Sequence, residues 1–214
     1  ANQVIVPFEA IGLDAVDVEV FKIYENNMLQ FLENNAINDQ GYNLNGVGHI
    51  IYQQKVSLSS LSKNFDAKRL ERYALELSKL TNLEKSALYQ VRIGFRKAYT
   101  SHAGKSEENV IGKKNDYGQY ESIMKYRYSN YNKRHDPAND EYYNPERFVN
   151  RNLLSTNIGL TAKLGKDKKL RVSALDIMNA DRLARVEVNV YAQQKQIDQV
   201  AFTGEDGMVA IHVE

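Results

Sequence analysis

The residues able to do chemistry are few and scattered. Four histidines are present, His49, His102, His135 and His212, and no two lie within four positions of each other. A metal site built on them would have to be gathered by the fold, because no local ligand spacing exists. Cysteine is absent. This removes disulfides, thiolate metal sites and a cysteine nucleophile in one step. Two acidic groups are dense enough to be considered for general acid–base work: Asp14, Asp17 and Glu19, and Asp136, Asp140 and Glu141. Asp17 and Glu19 share one face of a strand, since side chains alternate. A solvated strand face has the same appearance. Neither a G-x-S-x-G elbow nor a G-x-x-x-x-G-K-[ST] phosphate loop occurs, so nucleophilic serine and nucleotide chemistry have no local support. The sequence designates no catalytic residue, no cofactor-binding residue, no cofactor and no metal ligand, and the expectation is that the chain is not an enzyme.

One stretch has the composition of a recognition surface. Met124–His135, MKYRYSNYNKRH, interleaves aromatic and basic residues. Tyrosine faces cover sugar rings, so Tyr126, Arg127, Tyr128 and Tyr131 are the candidate contacts to a glycan or protein partner. The same pattern can stack bases and neutralise phosphates. However, Asp136, Asp140 and Glu141 follow directly, and the net charge is only +1. Neither feature favours a polyanion, and no nucleic-acid partner is expected. The plainer alternative is a surface loop whose tyrosine stems pack down while lysine and arginine stay solvated.

The elements that must position these groups read as strands. Val16, Val18 and Val20 alternate with Asp17 and Glu19; Val91, Ile93 and Phe95 alternate with Arg92 and Arg96. This period of two predicts one dry and one wet face, with the arginines outward. After Val20 the apolar positions arrive one residue early, at Phe21 and Ile23, which predicts a β-bulge at Val20–Phe21. Val4–Phe8, broken by Pro7, predicts an edge strand. Val47–Leu58 and Tyr73–Leu77 are further strand candidates, and Lys63–Leu70 is either a helical turn or a solvated connection. Residues 100–141 differ in character, with few aliphatics and many polar residues. Six of the fourteen tyrosines lie from Tyr117 to Tyr142, and a loop of this length inside a compact domain is either functional or disordered.

From residue 152 onward five strands are predicted, at 157–164, 169–177, 185–193, 197–203 and 207–213. Gly204-Glu205-Asp206-Gly207 predicts a hairpin between the last two, since Asp-Gly flanked by alternating apolar residues supplies the positive φ of a tight turn. Asp167, Asp176 and Asp181 are expected to hydrogen-bond their own backbone in turns. No apolar run approaches the ~20 residues of a membrane-spanning helix, so no membrane insertion by this chain is expected. The first residues lack the pattern of a signal peptide.

Several of these segments carry a family likeness. NLLSTNIGLTAK at 152–163, VSALDIMNADRLARVEVNVY at 172–191 and FTGEDGMVAIHV at 202–213 resemble the N-terminal macroglobulin domains of bacterial alpha-2-macroglobulins of the Bacteroidetes type. PFEAIGLDAVDVEVFKIYENNMLQFL at 7–32, ALYQVRIGFRKAY at 87–99 and YYNPERFVNRNLLS at 142–155 are similar to a preceding domain of that kind. Gly204-Glu205 stands where the family has Thr-Asp, so that hairpin matches in part. The resemblance implies an all-β chain of two tandem immunoglobulin-like, macroglobulin-type β-sandwiches: 1–151, with the Tyr-rich insertion at about 100–141, and 152–214. A single large sandwich with a long insert is the alternative. The likeness also implies strands at 16–24 and 28–33, and an incomplete second domain that makes the chain a piece of a longer one.

By the same resemblance the function is that of non-catalytic structural domains in a protease inhibitor that traps proteases in the cell envelope, in the periplasm or on an outer-membrane lipoprotein. The partners would be neighbouring domains of the longer chain and host or bacterial proteases. The family's internal thioester requires a cysteine and is not in this chain. The alternative is a cell-surface binding or adhesion module that uses 100–141.

Overall fold

The structure is a computed structural model, and it describes residues 4–34, 44, 46–101, 111–124, 131–143, 147–192, 195–196 and 200–213. The chain divides into two compact units, Ala1–Leu154 and Ser155–Glu214.

In the first unit β1 (Ile5–Ala10) pairs antiparallel with β4 (Glu71–Glu76). A second sheet has the order β3 (Gly48–Ser57), β2 (Ala15–Ile23), β5 (Ala87–Gly94), β6 (Phe148–Ser155). Between the two sheets Val6, Phe8, Tyr73 and Leu75 pack against Val16, Val18, Val20, Tyr89, Val91 and Ile93. Pro7 lies in the two-stranded sheet opposite Ala74, where a missing N–H is tolerated. Residues 63–70 form turns and bends with no helix. Leu77, predicted as strand, instead opens the short helix α2 (Leu77–Leu80).

The irregularity expected at Val20–Phe21 is present, but the extra residue belongs to the partner strand. Val20 faces Tyr52 and Phe21 faces Ile50, so Ile51 is the inserted residue. Strand β2 keeps strict alternation against β5. The early arrival of Phe21 and Ile23 therefore has a different cause: β2 is buried on both faces. Val16, Val18 and Val20 serve the first core. Phe21 and Ile23 serve a second core, with Phe31, Leu44, Val47, Ile50 and Leu88. Phe31 comes from α1 (Met28–Asn34), where the family likeness implied a strand. Met28 and Phe31 both pack on this second core, and a spacing of three puts them on one helix face.

The second unit has a three-stranded sheet in the order β13 (Met208–His212), β8 (Lys169–Asp176), β7 (Ile158–Leu164). The remaining predicted strands are shorter than expected: β9 (Glu187–Val188) pairs with β12 (Ala201–Phe202), and β10 (Tyr191–Ala192) with β11 (Lys195–Gln196). Val172, Val188 and Ile211 form the small core. The hairpin from β7 to β8 turns through Gly165–Lys168, and Lys168 takes φ 57°. Asp167 receives two bonds from the Arg171 guanidinium, at 3.1 and 2.6 Å, which draw its carboxyl down to about 2. Asp167 and Asp176 also accept from backbone N–H groups two residues on, while Asp181 accepts instead from the Asn179 side chain.

The Gly204–Gly207 turn forms, closed by the Gly204 N–H to the Met208 carbonyl at 2.9 Å. It is not a ladder hairpin, because β12 and β13 belong to different sheets. Gly207 has φ 69°, and a Cβ there would meet the Ala174 carbonyl oxygen at 2.9 Å. Thr203 beside it is buried; its hydroxyl donates to the Leu183 carbonyl at 2.6 Å and accepts from the Val186 N–H at 2.9 Å. The turn is thus a tied corner that carries the chain from one sheet to the other.

Candidate functional site

The acidic residues singled out on β2 are not solvated. Asp17 is 3% exposed and Glu19 0%. Arg92, expected outward, is 6% exposed. Arg96, also expected outward, is nearly buried and ion-paired with Asp17. Over Glu19 the cover is the segment 111–124, the described middle of the insertion, which lies over the second face of the four-stranded sheet; Asp17 and Arg96 are closed in with Tyr99, and Phe148 lies against the Arg92 guanidinium. Ser122 and Met124 of that segment are buried. Met124 seats its Sδ and Cε against Gly94, where a Cβ would meet them at 3.3 and 3.2 Å.

The buried layer is a chain of hydrogen-bonded polar groups. Glu19 accepts from Gln53 Nε2 at 2.8 Å, from Ser122 Oγ at 2.8 Å and from the Ile123 N–H at 2.7 Å. Gln53 also donates to the Glu121 carbonyl and accepts from the Gly112 N–H at 3.1 Å. Arg92 donates to Gln90 Oε1 at 2.8 Å, and Gln90 passes the chain to Asn152 Oδ1 at 2.9 Å. The Arg92 guanidinium stands 4.7 Å from the ring centre of Phe21 and 4.9 Å from that of Phe148. Asp17 accepts from the Tyr99 hydroxyl at 2.7 Å and from Arg96 Nε. Charged groups are retained in an interior when partners of this kind replace water.

Burial pushes the Asp17 and Glu19 carboxyls up; their hydrogen-bond donors and the nearby arginines pull the other way without overcoming it. Burial likewise lowers Arg92, against the pull of Glu19. The folded chain therefore holds a proton on these carboxyls more tightly than the unfolded chain does. Their contribution to stability is full below the ordinary carboxylate range and is lost as pH rises through the raised values. Between that range and neutrality, the wild type is expected to lose stability with rising pH more steeply than Glu19→Gln. Urea midpoints across that window measure the difference, and parallel profiles for the two proteins would contradict it.

Through Glu19 and Gln53 the layer acts as a lock that holds 111–124 on the sheet. A cleft of about 630 Å³ opens beside it, between β3 and residues 114–122. Tyr24 and His49 stack at its wall, with ring centres 5.0 Å apart. Lys114 lies 5.0 Å over the Tyr120 ring on the other side. Partial burial lowers the His49 pKa and Lys22 adds to the effect, while Glu84 opposes it. The spacing of these groups in sequence gave no sign that they would meet.

The other sequence candidates stay apart. His135 and His212 are exposed, and among the described residues no group of three or more His, Cys, Asp or Glu could hold a metal. Asp14 is exposed; Asp136 accepts from the Ala138 N–H within its own turn. Tyr126, Arg127, Tyr128 and His102 lie outside the described residues, and Tyr131 begins a 3-10 turn, Tyr131–Lys133.

No protein-family model and no curated protein sequence matches the chain. Solved structures do. A crystal structure of native alpha-2-macroglobulin from Escherichia coli spanning domains NIE-MG1 matches with a TM-score of 0.58 at 15% identity, over 97% of this chain and 78% of that one. A longer crystal structure of the same protein, spanning MG0-NIE-MG1, matches with 0.54 over 97% and 51%. The cryo-EM reconstruction of its native conformation matches with 0.52 over 98% and 10%, so this chain spans about a tenth of that molecule. At 15% identity the likeness is one of fold: the chain is all-β, built as immunoglobulin-like β-sandwiches of the macroglobulin type.

Proposed function

We propose that this chain supplies non-catalytic structural domains to a bacterial alpha-2-macroglobulin-like protease inhibitor acting in the cell envelope. The observation that carries the reading is a fold likeness running through 97% of the chain, both units together. The chemistry agrees with it: the buried carboxylate of Glu19 is engaged in fixing 111–124 to the sheet, and that of Asp17 in holding Tyr99 and Arg96. Neighbouring domains and proteases would then be the partners, engaged through the longer protein. Fold likeness does not by itself assign function, so the test is functional. The reading frame around these residues is expressed in full and treated with proteases of different classes. The expected result is cleavage at one exposed segment, compaction seen by small-angle scattering, and retained protease that no longer digests large substrates.

The cleft walled by Tyr24, His49 and Tyr120 favours a second reading, a cell-surface module that binds a glycan or protein beside the insertion. A full-length protein that leaves every protease active, yet binds a glycan array in a manner abolished by Tyr120→Ala, would transfer the assignment to that reading.

A further inference from the structure

We propose that the cleft between β3 and residues 114–122 is a saccharide site that stacks one neutral sugar ring on the Tyr24–His49 pair. This deepens the second reading above, on which it rests for the place of binding, and names the ligand class. Both walls belong to the first unit, and each is fixed by hydrogen bonds within that unit. On one side the Tyr24 N–H donates to the Val47 carbonyl at 2.9 Å, and His49 stands opposite Lys22 in the β2–β3 ladder. The two rings are held 5.0 Å apart and within 19° of parallel. On the other side the Asn115 N–H donates to the Gln119 carbonyl at 2.8 Å. Asn115 Oδ1 accepts from the N–H groups of Tyr117 and Gln119, both at 3.0 Å. The same segment runs on to Ser122 and Ile123, which Glu19 clamps. The site is therefore pre-formed, and its volume of about 630 Å³ suits a small ligand.

The lining selects the class of ligand. A polyanion gains little here, because Lys114 and Glu121 both line the cleft and Lys22, beside His49, is paired with Glu84 at 2.6 Å. A wholly apolar ligand fits no better, since Lys114, Gln119 and Glu121 would lose water without a partner. A sugar ring answers both walls. Its C–H face stacks on an aromatic face, whose π-cloud is negative. Its rim of hydroxyls both donates and accepts. Lys114, with its ammonium 5.0 Å from the Tyr120 ring centre, supplies donors; Gln119 and Glu121 supply acceptors. On the core side the cleft is lined by Phe21 and Ile50, both buried.

The test is titration of the 214-residue chain with neutral trisaccharides of glucose, mannose, galactose and N-acetylglucosamine, followed by amide chemical shifts. A short capped Ala-Thr repeat peptide and a heparin fragment are titrated beside them. The expected result is saturable binding of at least one neutral saccharide, with a Kd of about 1 mM or tighter and shifts at residues 48–51 and 114–122. Tyr24→Ala and His49→Ala should each weaken binding at least about tenfold by removing a stacked ring. Tyr24 is 43% exposed and His49 is exposed too, so neither change empties the core. His49→Phe keeps a flat ring and should bind within about threefold of the wild type. Tyr117→Ala, at a fully solvated position outside the described lining, should change nothing. Absence of binding by every neutral saccharide overturns the proposal, as does binding that ignores both Tyr24→Ala and His49→Ala. Shifts at these amides from the heparin fragment alone overturn it as well. Shifts from the peptide alone overturn the saccharide assignment while leaving the second reading standing with a protein ligand.

Discussion

Replacing Glu19 by alanine is expected to destabilise the first unit by about 3–5 kcal/mol, the cost of breaking a buried charged pair from one side. Three donors converge on this carboxylate, from β3, from the Ser122 side chain and from the Ile123 backbone. Without it the buried Ser122 hydroxyl loses its acceptor, at about 1–3 kcal/mol for an unsatisfied group, and Gln53 and the part-buried Ile123 N–H each lose one bond. Arg92 also loses the charge it faces across the β2–β5 ladder. Against a total stability of about 5–15 kcal/mol for a natural domain, this single change would leave the unit marginal. Glu19→Gln should cost less, because it keeps the shape and one acceptor while turning an amide N–H₂ toward a donor. Urea unfolding gives the magnitude. Hydrogen exchange gives the location, since the amides of 111–124 should lose protection before those of the four-stranded sheet. A midpoint shift worth less than about 1 kcal/mol would mean that water replaces the carboxylate, and the layer would not be a lock.

Phe21→Ala is expected to cost about 3–5 kcal/mol as well, by cavity formation. Phe21 is 1% exposed and sits where the second core meets the buried charges. Its ring is one of the two aromatic faces on which the Arg92 guanidinium rests. Phe21→Leu separates the two contributions. It retains most of the apolar volume, for about 1–1.5 kcal/mol, but removes the ring. A double-mutant cycle with Arg92→Met should then show coupling of about 1 kcal/mol or more, as a desolvated cation–π contact gives. Additive effects would assign Phe21 to packing alone. The paired rings matter to the fold because they let an arginine occupy a sheet interior where an aliphatic side chain would be expected.

The period-two runs located β2, β4, β5, β8 and β13, because alternation is a local property of a half-buried strand. They misassigned the second face of β2 and β5. Asp17, Glu19, Arg92 and Arg96 look solvated in sequence, since nothing local distinguishes a charge facing water from one facing a covering segment a hundred residues away. Phe21 and Ile23 were the available clue. Two apolar residues on the polar face of β2 mark a second core, and the sequence pattern instead suggested a slip of register.

The Met28–Asn34 helix was hidden by a family likeness to a strand, although the spacing of Met28 and Phe31 suits a helix. The Gly204–Gly207 turn was legible as a turn, but its hairpin role was not. Whether the strands on either side pair with each other depends on Thr203 and Gly207 meeting Leu183, Val186 and Ala174, contacts made only once both sheets exist.

By itself the sequence determined the all-β class, the positions of the main strands and the turns that join them, because period, proline, glycine and aspartate act within a few residues. Tertiary structure decided which faces are dry, which strands share a sheet and what the insertion does. Those outcomes depend on which surfaces meet, and burial converted an apparently wet row of carboxylates and arginines into an interior in which Glu19 and Gln53 fix residues 111–124 in place.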